Sequence, residues 1–432
     1  METTGSRRRL VEGIIFTTIL IDFVGFSILI PVLPLYAQQL GASELEVGLM
    51  LALYSLGLVL FLPVWGWISD RIGRRPVLLI CLLGTASSFA LLSVASSVYE
   101  IYFARALGGF FGASIGTAQA YMTDITDRDD RARGMGIIGG AFGIGFVLGN
   151  ALGGGLEMLR PGLPFLAAAG ITLINFLIAV AFLPETRPPA RGTPDFRLLG
   201  RSLIPAPILV VVTAGDNGRR LFLFLFFLLY LSFASLEAMF ALWAVFSFDW
   251  SALQVGMFLS LLGVIMGATQ LGLIGPLTRR LGEVTLVVAG LAIMAAGLAL
   301  LPFTQSLPGL ILAGSAIAIG NGISFPTFTS LFTKLCSMQE AGEALGQSQA
   351  MAQTGRTLGA LGSGWAFNSL SAGAPFLLSA LGMSLALAIF GWSIRLLVST
   401  PSERGRSEAG GEWQEVAGRR YRGAPGDREE PE

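Results

Sequence analysis

Apolar stretches of helical length recur along this chain, and short charged loops separate them. A membrane-spanning helix needs about 20 consecutive, mostly apolar residues. The composition agrees with this pattern, because 53% of the 432 residues are hydrophobic and only 13% are charged. Soluble domains usually contain about 25% charged residues, and transmembrane β-barrels show short alternating segments instead. The sequence therefore predicts an all-α integral membrane protein in contact with a lipid bilayer.

Twelve stretches are long enough to form transmembrane helices. They cover residues 12–36, 46–68, 76–95, 100–122, 134–156, 163–183, 219–245, 252–274, 284–303, 308–332, 346–367 and 374–398. Basic residues concentrate in the two termini and in the loops that follow even-numbered spans. The positive-inside rule therefore predicts that both termini are cytoplasmic. Arg far outnumbers Lys, which is typical of a GC-rich genome and favours a bacterial inner membrane.

A proline-rich break divides the predicted spans into two groups of six. The predicted organisation is a cytoplasmic N-terminus at 1–11, a first half at 12–183, a linker at 184–218, a second half at 219–398 and a tail at 399–432. Ser202–Ala214, within the linker, is apolar enough to lie on the membrane surface. The tail is rich in Gly, Glu and Arg, a composition that favours disorder.

A short, highly charged loop lies between the second and third predicted spans. Its sequence is Gly66-Trp67-Ile68-Ser69-Asp70-Arg71-Ile72-Gly73-Arg74-Arg75. One carboxylate and three guanidiniums are costly in hydrocarbon, so this loop must lie at a membrane face. We expect Gly66 to let a neighbouring helix approach closely and Gly73 to allow a tight reversal of the chain. The pattern G-x-x-x-D-R-x-G-R-R resembles the loop signature of the major facilitator superfamily of secondary transporters.

The resemblance implies a major facilitator fold, with 12 transmembrane helices in two six-helix halves around a central cavity. An internal sequence repeat agrees with this fold, because a related stretch, Gly275–Glu283, follows the eighth predicted span. In this stretch Asp70 is replaced by Arg279, and Arg74 is replaced by Glu283. Six spans in each half, together with this sequence repeat, favour two parallel structural repeats. The reversed charge predicts that the gate contact formed by this loop in the second half is different from, or weaker than, that of the first half.

Asp22, Arg105 and Glu237 are ionisable residues that lie deep within predicted spans. A charge near the middle of a bilayer costs about 2.5–3.5 kcal/mol on insertion scales, so such residues usually mark a function. The segment around Asp22 resembles the first helix of tetracycline-type drug/proton antiporters, and Arg105 resembles the Arg of the family's fourth-helix signature. The resemblance implies that these three residues couple transport to protons. The alternatives are a static ion pair of Asp22 with Arg105, and an outer-gate hydrogen bond from Glu237.

Further polar residues in or near the spans are candidates for substrate binding. They are Asn150, Gln270, Asn321, Gln349, Gln353 and Arg356. Asn150 stands where the fifth-helix signature of the antiporters has a proline, and Arg356 is a possible countercharge for Glu237. Each polar group could instead form a hydrogen bond between helices. Phe, Met and Trp in the spans predict a largely apolar cavity around them, adaptable to amphiphilic ligands.

A gate at the cytoplasmic face is the role that the resemblance implies for the charged loops. The residues concerned are Gly66, Asp70, Arg71, Gly73, Arg74, Arg75 and Asp124. We expect Asp70 to lie near the positive N-terminal end of the eleventh span in an outward-open state. The loop arginines would then meet the acidic loop at Asp124–Asp130 and hold the two halves together.

The predicted function is proton-coupled efflux of a small amphiphilic or hydrophobic compound by alternating access. Alternatives are an importer or uniporter of a metabolite, a lipid or glycolipid flippase, and a non-transporting scaffold. Ser88 and Met294 occupy the places of acidic residues in the tetracycline exporters, which argues against recognition of a metal–tetracycline chelate. The chain has no histidine, nucleotide loop or nucleophile arrangement, so an enzyme is not expected. We expect a monomer with protons and a small molecule as partners, without nucleic acid, metal or cofactor.

Overall fold

The computed structural model is a bundle of α-helices joined by short loops. It describes residues 2–112, 114–125, 131–186, 217–334 and 341–399. The helices are α1 (Glu2–Gln39), α2 (Glu44–Ile72), α3 (Arg74–Val94), α4 (Val98–Phe111), α5 (Ser114–Ile125), α6 (Arg131–Glu157), α7 (Leu163–Phe182), α8 (Asn217–Phe248), α9 (Ala252–Ala268), α10 (Ile274–Leu281), α11 (Glu283–Leu300), α12 (Leu307–Lys334), α13 (Ala341–Ser369) and α14 (Ala374–Ser399). A π-helical turn at Thr269–Leu273 joins α9 to α10. The predicted surface segment Ser202–Ala214 and the predicted tail from residue 400 onward lie outside the described residues.

Ten helical segments of the described chain are long and apolar enough to cross a membrane. They coincide with ten of the twelve predicted spans, and the all-α membrane fold is confirmed. The predicted fourth span is divided into α4 and α5, each too short by itself. The predicted eleventh span is the continuous helix α13, whose Gln and Arg residues lower its hydropathy. Both exceptions contribute residues to the central cavity described below.

The two halves begin and end their second helices in the same way. Ser43, before α2, forms a capping box with Glu46, and Ser251, before α9, forms one with Gln254. Such a box satisfies two otherwise unpaired backbone N–H groups and fixes the start of the helix. At the other end of each span a glycine reverses the chain with positive φ, +105° at Gly73 and +75° in its counterpart in the second half. The predicted tight turn at Gly73 and the predicted internal repeat are therefore both present in the structure.

The loops lie at two ends of the bundle, which we name by the chain termini. The terminal face is the end at which α1 begins and α14 ends, and the opposite face is the other end. The halves meet near the opposite face, where α2 packs on α13 and α6 packs on α9. A Cβ atom at Gly48 would lie 2.6 Å from the carbonyl oxygen of Ala360, so only glycine permits this approach. On the other side of the bundle, Ser260 Oγ donates a hydrogen bond to the carbonyl oxygen of Val147 at 2.8 Å.

The space between the halves opens in the direction of the terminal face. Leu62 and Pro63 of α2 line this space, as do Gly346 and Gln347 near the start of α13. These residues lie much nearer to the terminal face than the Gly48 contact does. The bundle is thus closed at the opposite face and contains a cavity that extends toward the terminal face.

Candidate functional site

Two adjoining cavities occupy the space between the halves, with volumes of about 260 and 490 Å³. Ligand pockets for drug-sized molecules measure about 300–1,000 Å³. The residues that line both cavities are Phe23, Phe26, Phe142, Tyr230 and Arg356. Four of these five are aromatic, and α1, α6, α8 and α13 supply them from both halves. Together the two cavities form one central site, which we call the central cavity.

Five of the six predicted substrate-binding residues line the central cavity. Gln270 and Asn321 face its smaller part, Gln349 and Gln353 face its larger part, and Arg356 faces both. Phe146, Phe233 and Phe325 complete the aromatic walls of the smaller part. The prediction of a largely apolar cavity with a few polar groups therefore matches the structure.

Asn150 is the predicted contact that the structure does not bring to the central cavity. Its side chain is fully buried, and Nδ2 donates to the carbonyl oxygen of Phe146 in the same helix at 2.8 Å. The backbone of Asn150 packs against Gly256 at the contact between α6 and α9. In this conformation Asn150 belongs to the packing surface that closes the opposite face, and its predicted substrate role stays a prediction.

Glu237 and Arg356 form an ion pair across the wall of the central cavity. Arg356 Nη1 lies 3.3 Å from Glu237 Oε2, and the two side chains are 21% and 17% exposed. The guanidinium carbon of Arg356 also lies 5.1 Å from the centroid of the Tyr230 ring. Glu237 is on α8 and Arg356 is on α13, so packing between two helices of the second half brings them together. The countercharge suggested by the sequence is therefore the observed partner.

Asp22 and Arg105 line a second, much smaller space on the first-half side of the central cavity. This side cavity measures about 20 Å³ and is also lined by Tyr54 and Ser88. Asp22 is 9% exposed and Arg105 is 2% exposed. The guanidinium carbon of Arg105 lies 4.3 Å from the centroid of the Tyr54 ring, a distance at which a cation–π attraction is favourable. The structure thus places two of the three predicted proton-coupling residues in one buried space.

Tyr54 connects the two charged sites, and sequence reasoning missed it. A further small cavity of about 30 Å³ is lined by Tyr54 together with Arg105, Glu237 and Arg356. Tyr54 therefore lies between the side cavity and the Glu237–Arg356 pair. The available signal was a tyrosine in the middle of an apolar span, but nothing in the sequence identified its neighbours.

Arg74 is the centre of the charged cluster at the terminal face of the first half. Its side chain is 8% exposed; Nη2 lies 2.7 Å from Asp70 and Nε lies 3.1 Å from Asp124. Nη1 donates to Ser69 Oγ at 2.5 Å. Arg74 thus contacts Asp124 of the acidic loop, but both residues belong to the first half and the contact forms while the halves are apart at the terminal face, so it does not hold the two halves together here. The predicted gating role stays a prediction, and residues 126–130 of that loop lie outside the described residues.

The other members of the predicted gate make different contacts. Arg71 stacks over the ring of Trp67 at 3.7 Å, and Arg75 donates to the carbonyl oxygen of Val180 at 2.6 Å. No described atom lies within 4 Å of the place where a Cβ on Gly66 would be. The expected close helix approach at Gly66 was wrong for this conformation, because the halves are apart at the terminal face.

Glu185 completes this cluster and was not predicted. Its carboxylate accepts hydrogen bonds from the backbone N–H groups of Arg74 at 2.9 Å and Arg75 at 3.1 Å. The adjacent Pro184 accepts a hydrogen bond from the hydroxyl of Tyr121 at 2.7 Å. The start of the linker therefore fastens the first turn of α3. An acidic residue directly after a span was visible in the sequence, but its partner was 110 residues away.

Comparison with known proteins gives a family from sequence and a similar fold from solved structures. Residues 15–346 and 222–423 match the family described as the Major Facilitator Superfamily. The chain is 33% identical over 350 residues to the tetracycline resistance protein, class C, of Escherichia coli, covering 78% of this chain and 85% of that protein. It is 26% identical to multidrug resistance protein 1 of Bacillus subtilis (strain 168), covering 89% and 96% of the two chains.

Solved transporter structures have a similar fold. One is a bacterial homolog of the human lysosomal transporter Spinster, in an inward-facing and occupied conformation. It superposes with a TM-score of 0.73 at 15% identity, covering 91% of this chain and 99% of that one. These matches confirm the predicted fold and a transporter rather than an enzyme. The chain therefore belongs to the major facilitator superfamily and is an integral membrane transporter of small molecules.

Proposed function

We propose that this transporter exports small amphiphilic compounds in exchange for protons. The observation that carries the proposal is the central cavity, which is walled by aromatic rings and adjoins a buried side cavity containing Asp22 and Arg105. The relatives named for tetracycline and multidrug resistance support efflux as the direction. The protein acts as a monomer in a bacterial inner membrane, with the terminal face in the cytoplasm.

Asp22 is the proton carrier in this proposal. It takes up a proton from outside when the opposite face is open, and the neutral carboxyl group weakens the hold on the substrate. Arg105 shares the side cavity and stays charged at any physiological pH. Its positive charge favours release of the proton into the cytoplasm after the cavity has turned inward. Glu237 is a second candidate for proton uptake, since it faces the same central cavity.

The cycle requires the two ends of the bundle to open alternately. The conformation described above is closed at the opposite face, so the proposal identifies it as the inward-open state. In the outward-open state the terminal face closes, and Asp70 moves close to the N-terminal end of α13. The positive end of the α13 dipole would attract this carboxylate. The Arg74 cluster then holds the first half rigid while it turns.

Transport in inverted membrane vesicles tests the role of Asp22. We expect Asp22→Asn to reduce uptake driven by a pH gradient at least tenfold, because the variant cannot exchange a proton. Substrate exchange without a gradient should continue in the same vesicles, but at a higher substrate concentration, because Asn imitates the neutral carboxyl group that holds the substrate less tightly. The matched control is Asp249→Asn, which removes a carboxylate from an exposed position between α8 and α9.

Two outcomes would count against the proposal. Gradient-driven transport that persists in Asp22→Asn would remove Asp22 from the coupling mechanism. Wild-type counterflow that is indifferent to a pH gradient would favour the uniporter alternative.

A further inference from the structure

The Glu237–Arg356 pair is held by few contacts for a charged pair in a membrane protein. A guanidinium has five N–H donors, and among the described residues only Nη1 of Arg356 meets a carboxylate, at 3.3 Å. The Nε atom of Arg356 is buried without a hydrogen-bond partner. Such an orphaned donor is unusual in a folded protein and calls for an explanation. The pair therefore has unused hydrogen-bonding capacity, and Arg356 itself lines both parts of the central cavity.

The same region contains an unused acceptor. Gln353 precedes Arg356 by almost one turn of α13 and lines the larger part of the central cavity. Its Oε1 atom is buried and has no partner. One unsatisfied donor, Nε of Arg356, and one unsatisfied acceptor, Oε1 of Gln353, thus lie within one turn of the same helix. A ligand with groups of both kinds would satisfy them at the same time.

The two charges of the pair respond differently to a charged ligand. A cation that binds Glu237 would leave Arg356 without a countercharge, and arginine cannot lose its proton in a protein. An anion that binds Arg356 would leave Glu237 uncompensated until a proton arrives. Removing one partner from a buried ion pair is strongly unfavourable, whereas replacing both partners need not be. A ligand that carries both signs can therefore separate this pair without leaving either charge alone.

The walls around the pair favour a flat aromatic framework. The rings of Phe23 and Phe142 stack with centroids 4.4 Å apart, and the ring of Tyr230 meets that of Phe325 edge-on at 4.9 Å. Phe26 lines both parts of the central cavity as well. Aromatic surfaces of this kind prefer offset-stacked or edge-on contact with other rings. The charged pair lies on the wall of a chamber that is otherwise suited to fused rings.

We propose that the central cavity selects amphoteric aromatic compounds. The anionic group of the ligand binds Arg356, and its cationic group binds Glu237 and the Oε1 atom of Gln353. This inference rests on the proposed function, because it specifies the substrate class of the same cavity. It can be tested separately from proton exchange, because it concerns the selectivity of binding and needs no proton gradient.

Three fluorescent probes with one ring system provide the test. The first is a zwitterionic rhodamine with a free carboxylate, the second is its cationic methyl ester, and the third is fluorescein, an anion. Binding to purified protein in detergent, without any gradient, is followed by fluorescence polarisation. We expect the zwitterion to bind the wild type at least tenfold more tightly than either of the other two. Equal or tighter binding of the methyl ester would overturn the proposal.

Neutralising each partner should change the charge preference in opposite directions. Arg356→Gln leaves Glu237 as the uncompensated charge, so the methyl ester should become the preferred probe. Glu237→Gln leaves Arg356, so fluorescein should become the preferred probe. A merely structural pair would weaken all three probes together, and that result would also overturn the proposal.

A control and an independent readout keep the test decisive. Asp249→Asn, outside the cavity, should leave the order of the three probes unchanged. If either cavity variant fails to fold, the wild-type comparison of zwitterion and methyl ester still decides the question. Transport that ignores a pH gradient would refute proton coupling while leaving this binding order intact, so the two proposals fail separately.

Discussion

The two halves of the transporter have an ion pair at equivalent places with the charges exchanged. In the first half Arg74, which begins α3, pairs with Asp124 near the end of α5 at 3.1 Å. In the second half Glu283, which begins α11, pairs with Lys334 at the end of α12 at 2.9 Å. The sequence repeat predicted the exchange at Glu283 but not its partner. The second half therefore has an ion pair of its own at the equivalent place, with inverted polarity.

The exchange of charge explains why the first half needs Glu185. Arg74 and Arg75 occupy the first turn of α3, where the helix dipole is positive and cations are unfavourable. The Glu185 carboxylate binds both of their backbone N–H groups and supplies the missing negative charge. In α11 the first residue, Glu283, is itself the acid. Inverting the pair thus removes the need for a third carboxylate.

Burial is the other difference between the two pairs. The Arg74 side chain is 8% exposed, whereas that of Lys334 is 61% exposed. Exposed ion pairs contribute about 0.2–1 kcal/mol, while removal of one partner from a buried pair costs about 3–5 kcal/mol. We infer that the first-half cluster is the more important one for stability and gating.

Among the variants that only remove a charge, Arg74→Ala is expected to have the largest effect. It leaves Asp70 and Asp124 without their shared cation and should lower the free energy of unfolding by about 3 kcal/mol, the low end of the buried range, because Asp70 is half exposed. Transport should fall at least tenfold. Thermal unfolding in detergent and uptake into vesicles measure the two effects. A variant with normal transport would show that the cluster is not part of the gate.

Giving the first-half ion pair the polarity of the second-half pair is a more specific test. The double variant Arg74→Glu, Asp124→Lys reproduces the polarity of Glu283 and Lys334. We expect it to recover part of the stability lost in Arg74→Ala, because the ion pair is restored and an acid now begins α3. The single variant Arg74→Glu adds a carboxylate to the three already present, those of Asp70, Asp124 and Glu185. It should be less stable than both Arg74→Ala and the double variant.

Glu185→Gln is expected to have an intermediate effect that depends on this background. In the wild type it removes a charged helix cap and should cost about 1 kcal/mol, within the range of about 0.5–2 kcal/mol measured for caps. In the Arg74→Glu, Asp124→Lys background the same change should cost nothing or stabilise, since Glu185 would then repel a neighbouring acid. Equal losses in both backgrounds, seen by thermal unfolding, would contradict the explanation from the helix dipole.

Much of this architecture could be predicted from sequence because hydropathy and charge act locally. The apolar runs gave ten confirmed spans. The turn at Gly73 was predictable because glycine readily adopts the positive φ that such a turn requires. The buried positions of Asp22 and Arg105 followed from counting residues into a span. Such inferences need only the properties of neighbouring residues in the chain.

Contacts between distant residues could not be predicted in the same way. Glu185 meets the start of α3 across 110 residues, and Tyr54 joins two charged sites from different halves only after the helices pack. Asn150 was assigned to the substrate because it is polar, whereas its side chain bonds to its own helix. Gly66 was assigned to close packing, which depends on which face of the bundle is closed. In each case the deciding information was tertiary.

Lys334→Ala is expected to have the smallest effect, and for that reason it tests the comparison most directly. The variant removes the contact with Glu283 Oε2 but leaves the hydrogen bond that Ser330 Oγ donates to Oε1 at 2.9 Å. Because the Lys334 side chain is 61% exposed, we expect a loss of at most about 1 kcal/mol and a less than twofold change in transport. Thermal unfolding and vesicle uptake, measured beside Arg74→Ala, give the ratio of the two effects. If Lys334→Ala impaired transport as severely as Arg74→Ala, the two ion pairs would be functionally equivalent and burial would not be what distinguishes them.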